Sequence, residues 1–121
     1  MDIVVNEDIL LMMLDRDPHS ALQHLRESGD LRGLAVATTY GLGLPVGKKW
    51  GGRAERALWN QYEDAKALRR EAAEIVISVC KTEAQLMRFY RYHRHSGSRS
   101  PLLKSIIRRW HESHDAERMA L

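Results

Sequence analysis

The chain has 121 residues, 44% hydrophobic and 29% charged, enough apolar content for the core of one modest domain. Three prolines and eight glycines exclude collagen-like and low-complexity classes, and a single cysteine excludes a disulfide framework and a cysteine-based zinc site. No apolar run approaches the roughly 20 residues that span a bilayer, and the start MDIVVNED lacks the basic region of a signal peptide. The expectation is one soluble, cytoplasmic domain over residues 1–121, with no membrane partner.

Helix punctuation recurs along the chain. Asn6 precedes an acidic first turn, Glu7 and Asp8, and the apolar run 9–14, which predicts a capped helix buried on most sides. Asp17 followed by Pro18 is a cap with proline at the first helical position, opening a helix with Ala21, Leu22 and Leu25 inward. Gly29 suits the left-handed position that ends it. Asp30 then caps a third helix with Leu31, Leu34, Ala35, Thr38 and Leu42 at helical spacing.

The stretch GLGLPVGKKWGG, residues 41–52, reads as the longest loop. Lys48 and Lys49 stand beside its glycines, but no GK[ST] ending completes a phosphate loop. A helix is predicted over 53–64 with Leu58 and Tyr62 inward. Another follows over 65–80, with Ala72, Ile75, Val76 and Val79 inward. Thr82 and Gln85 have capping-box spacing for a helix running to about residue 95. After the loop 96–98, Ser100 and Pro101 repeat the cap-plus-proline device. Leu103, Ile106, Ile107 and Trp110 form the buried stripe of the next helix, and Asp115 is placed to cap a last one. No alternating run remains for a strand. The fold class expected is all-α, about seven short helices arranged as stacked, HEAT-like pairs or an irregular bundle.

The net charge of +3 is unevenly placed. Residues 1–80 carry ten Lys/Arg against twelve Asp/Glu, and residues 81–121 carry nine against four. Between Glu83 and Glu112 there is no acidic residue, while Arg88, Arg91, Arg94, Arg99, Lys104, Arg108 and Arg109 all fall there. Such asymmetry points to a polyanion partner. Arg88, Arg91 and His95 share one helical stripe, as do Lys104, Arg108 and His111 opposite Leu103 and Trp110. These cations are the candidates to hold phosphates, and Tyr90 and Tyr92 to stack on unpaired bases. Phe89 is assigned to the core.

Other constellations carry little chemistry. His93 and His95 stand about 200° apart on a helix and cannot share an ion. His111 and His114 have compatible spacing but no further ligand nearby to complete a metal shell. Cys80, at an apolar helix end with no His or Asn partner in view, reads as a small buried residue. No arrangement here argues for an enzyme, a metal or a cofactor.

The second part of the chain carries an ordered series. Ala72, Ile75, Val79, Cys80, Lys81, Thr82, Leu86 and Phe89 follow an A…VC+T…L..F pattern. Gly97, Arg99, Leu102, Leu103, Lys104, Ile107 and Trp110 then follow GRxLRKAIxxWY. This series, over about 70–121, resembles part of the TROVE module, the RNA-binding helical-repeat ring of the Ro autoantigen, telomerase-associated and bacterial Rsr proteins. His111 stands where that pattern has a second aromatic, and its DxSxS metal-site half has no counterpart here. The resemblance implies RNA binding in a ribonucleoprotein by a partial or miniature version of the module. Two other classes fit the basic region: a small DNA-binding regulator using the last two long helices as a helix-turn-helix-like pair, and a phage- or plasmid-type inhibitor that meets an acidic protein. Against the former, Pro101, Leu102 and Leu103 are poor readers of base edges. Uncovered helices at the ends of a short stack also predict a homo-oligomer.

Overall fold

The computed structural model describes residues 7–40, 52–94 and 101–120, with side chains described for 7–40, 60–93 and 101–115. It is all-α, with six helices and no strand among the described residues: α1 Glu7–Arg16, α2 Pro18–Ser28, α3 Leu31–Thr39, α4 Gly52–Val79, α5 Glu83–Arg94 and α6 Pro101–Ala120.

Local chemistry sets most helix ends. The Asp17 carboxylate accepts from the Ser20 N–H at 3.2 Å and from the Ser20 hydroxyl at 2.7 Å. These bonds hold its pKa below the usual carboxylate value, and Pro18 supplies the fixed φ of the first turn. Gly29 ends α2 in the left-handed region at φ 65°, where a side chain would be strained, and its N–H donates to the Leu25 carbonyl at 2.9 Å. One residue later Asp30 caps α3 by accepting from the Gly33 N–H at 3.1 Å. The capping box at α5 is reciprocal. The Gln85 N–H donates to the Thr82 hydroxyl at 3.2 Å, and the Gln85 side-chain oxygen accepts from the N–H groups of Thr82 and Lys81 at 3.1 and 2.6 Å.

The core forms around α3, whose small residues let neighbours approach. Leu31, Gly33, Leu34, Ala35, Ala37 and Thr38 are all buried. A Cβ on Gly33 would stand 2.5 Å from a methyl of fully buried Leu25, so a side chain here would push α2 away. The buried Thr38 hydroxyl is satisfied within its own helix, on the Leu34 and Ala35 carbonyls. α3 packs against α1, α4 and α5; α4 also receives α2 and α6; and α1 lies on α2. Leu10, Leu14, Leu25, Leu86, Phe89, Ile106 and Trp110 complete one contiguous core with Ala72, Ile75 and Val76 of α4. Among the described residues α5 and α6 have little contact with each other. The arrangement is therefore an irregular bundle around α3, since stacked helical pairs would make those two consecutive helices close neighbours.

Four expectations are corrected. The segments predicted as separate helices over 53–64 and 65–80 are one 28-residue helix, α4. Asp64 resembles a cap, but neither Gly nor Pro interrupts 53–79, and Ala65, Lys66, Ala67, Leu68 and Arg69 are strong helix formers. Tyr62, expected inward, is only half-buried. α6 likewise continues past Asp115, so no separate last helix begins there. α1 is not buried on most sides: Leu10 and Leu14 face the core, while Ile9 and Met12 are exposed. Asn6, Leu42, His95, Arg99, the loop 41–51 and the loop 96–98 with Ser100 lie outside the described residues, as do the side chains of Leu58 and Arg94.

Candidate nucleic-acid interface

α5 points Leu86, Phe89 and His93 into the core, so its opposite face is turned outward with Arg88 and Arg91, both exposed. Among the described residues no carboxylate lies within ion-pair distance of either. Tyr90 and Tyr92 are half-buried against the core and flank this face on opposite sides, about 200° apart around the helix. They cannot form one stacking surface. Arg88 precedes Tyr92 by one turn and lies on its flank. Phe89 is fully buried, as expected, with its ring edge against His93 at 5.6 Å between centroids.

α6 behaves differently. It directs Leu103, Ile106 and Trp110 inward and holds Lys104 and Arg108 outward. Arg108 stands 3.9 Å from Glu112 on the same exposed face, and Asp115 follows there, so positive charge is balanced toward the C-terminal half. Arg109 turns aside and donates to Glu74 of α4. That acid is 35 residues away in sequence, and only the packing of α6 on α4 reveals it. Both pairs are largely exposed and add little to stability. Their consequence is electrostatic: the basic series narrows to Arg88, Arg91 and Lys104 as described cations without a nearby acid. Arg94 ends α5, and its side chain is outside the described set.

One cation at this surface escapes a reading of the basic region. Arg32, in the first turn of α3, places its guanidinium carbon 5.2 Å from the centroid of the Tyr92 ring. It is exposed and joins α3 to the flank of α5 that carries Arg88. Its one local signal is position, because a cation in a first helical turn works against the helix dipole.

The remaining candidates are structural. Cys80 is fully buried, and burial pushes its thiol up to about 11, which keeps it protonated and unreactive at neutral pH. Its carbonyl accepts from the Trp110 indole N–H at 2.7 Å. His114 stacks on Trp110 at 3.9 Å between centroids and sets its Nδ1 2.8 Å from the Trp110 carbonyl oxygen, while His111 meets the same indole edge-on. No cluster of three His, Cys, Asp or Glu side chains that could hold a metal occurs among the described residues.

A groove of about 830 Å³ opens between α1, α2 and the middle of α4. Leu14, Leu22 and Leu68 are buried beneath it, and Asp15, Asp64 and Glu71 line it. No described residue of α5 or α6 lines this groove, so acidic and basic surfaces are built from different elements. Among the described helices none is long and apolar enough to cross a membrane. No protein-family model matches the sequence, no curated protein matches it, and no solved structure matches its fold.

Proposed function

We propose that this chain is a non-enzymatic RNA-binding module of a ribonucleoprotein, and that it grips RNA through the outward face of α5. The observation that carries this reading is the exposed pair Arg88 and Arg91 with no carboxylate of the described residues within ion-pair distance of either, joined by Arg32 from α3 and supplemented by Lys104 on α6. Clustered, uncompensated cations release counterions from a polyanion when they meet its phosphates, and that release drives binding. The TROVE resemblance over about 70–121 supports RNA as the polyanion. Arg108 and Arg109 take a smaller part, since Glu112 and Glu74 compete for them. The packing gives no support to a helix-turn-helix pair, because α5 and α6 seat on different helices.

The test is binding of a short single-stranded RNA at several salt concentrations, with duplex DNA as the comparison. Three or four phosphate contacts, at roughly 0.7 each, give a slope of log affinity on log salt of about −2 to −3. Replacing Arg88 and Arg91 together by Ala is expected to reduce that slope by about 1.4 while leaving the melting temperature in place, since both side chains are on the surface. An unchanged slope would place RNA on another surface. Tighter binding to duplex DNA would favour the regulator class, and a complex with an acidic protein that RNA does not displace would favour the inhibitor class. Self-association belongs to the same proposal, with exposed Ile9 and Met12 of α1 and Met87 of α5 as uncovered apolar positions among the described residues. Light scattering at a mass of 13.9 kDa would remove it.

A further inference from the structure

We infer that Arg32 and Tyr92 form a platform on which an unpaired nucleobase stacks, so that the α3–α5 seam selects single-stranded over duplex RNA. This rests on the RNA-binding reading above and adds to it a residue and a substrate class. Phosphate contacts from Arg88 and Arg91 do not discriminate the two forms, because a duplex presents phosphates at least as densely as a single strand. Discrimination needs a flat group that an extruded base can reach and a paired base cannot.

Arg32 supplies that group. Its guanidinium is planar, always charged, exposed to solvent, and sits over the Tyr92 ring at 5.2 Å from the centroid. No carboxylate among the described residues pairs with it, so its outer surface is not committed to an ion pair. Tyr92 is half-buried and packed against the core, which anchors the lower layer of the stack. The Asp30 carboxylate, two residues before Arg32, is held by the Gly33 N–H as the helix cap. Arg88, one turn before Tyr92 on the same flank, and Arg91 beside it are placed to meet the phosphates of the nucleotide whose base lies on Arg32. A lysine at 32 would preserve the charge and lose the plane, so the two contributions separate experimentally.

The experiment compares the parent with Arg32→Lys and Tyr92→Leu, using fluorescence anisotropy on a ten-nucleotide single-stranded RNA and on an RNA duplex of the same length. Circular dichroism checks that each variant is folded. Arg32→Lys is expected to weaken single-strand binding about fivefold or more with the salt slope unchanged, and to leave duplex binding as it was. A single strand containing 2-aminopurine is expected to lose fluorescence on binding the parent and to lose much less with Arg32→Lys, which reports stacking independently of affinity. Equal binding of Arg32→Lys and parent to the single strand, or an equal loss on both RNA forms, overturns the platform. If the Arg88, Arg91 double replacement still lowers the salt slope in that case, RNA binding by α5 stands without it. No RNA binding by the parent overturns both.

Discussion

Trp110 ties two helices with one side chain. Its ring completes the α6 stripe, its N–H reaches the Cys80 carbonyl where α4 ends, and His114 covers it from one turn later. The Cys80 carbonyl accepts this indole N–H close to the buried Cys80 side chain, so losing the donor costs more than losing a surface hydrogen bond. Trp110→Phe keeps much of the ring and removes the donor, with an expected loss of about 1–3 kcal/mol. Trp110→Ala adds the cavity, for about 3–5 kcal/mol. Urea titrations of the two variants check the order. A Phe variant as unstable as the Ala variant would mean that packing contributes nothing beyond the hydrogen bond. Arg69 shows a related economy: although charged, it is buried, and it donates to the Tyr40 carbonyl at the C-terminal end of α3 at 2.8 Å. The negative end of a helix dipole offsets part of the cost of burying that charge.

At the scale of elements, α4 is the spine. Its middle borders the acidic groove and meets the C-terminal end of α3 through Arg69, and its last turns receive α6 through Trp110 and Arg109. Continuity through Asp64 and Ala65 makes this possible, because a break there would let the two halves reorient independently. Ala67 is exposed, so a replacement there tests the backbone and not the packing. In a helix that began at residue 65, proline at 67 would fall in the first turn and be tolerated. In the continuous helix it removes a hydrogen bond and clashes with the carbonyl of Glu63, for about 3 kcal/mol or more. Thermal melting of Ala67→Pro checks this, and a midpoint within a degree or two of the parent would mean that two helices meet here after all.

Across the whole molecule, charge and protonation are distributed by the packing. His93 is buried between α5 and the core, and burial lowers its pKa below the ordinary value of 6.5. The unfolded chain then takes up this proton more readily than the folded one. The sign follows: the His93 contribution is fully present above pH 6.5 and is lost as the pH falls below it, through the lower folded pKa, at no more than about 1.4 kcal/mol per pH unit. The Asp17 cap weakens only further down, because its own pKa is depressed below 3.8. Denaturant midpoints at pH 7.5 and 5 are therefore expected to fall for the parent and to stay closer together for His93→Gln. Equal falls in both would assign the acid sensitivity to other groups.

The sequence by itself determined what depends on neighbours within about four residues. The Asp17, Asp30 and Thr82–Gln85 caps, the Gly29 stop and the inward stripes of α2, α3, the second half of α4 and α6 were all legible, because capping bonds and helical faces are local geometry. The burial of Phe89, Cys80 and Trp110 was legible for the same reason. The break expected between 64 and 65 does not form, because the helix-forming residues on either side carry α4 through it. Only the tertiary structure decided which helices meet, since a stripe shows that a face is buried and not what buries it. It placed Glu74 on Arg109 and Arg32 over Tyr92, separated by 35 and 60 positions in the sequence, and seated α5 on α3 and α6 on α4. The basic run between Glu83 and Glu112 is continuous along the chain, but in space part of it is balanced by acids and part is extended by a cation from α3. Charges interact through distance, and the packing of the bundle sets those distances.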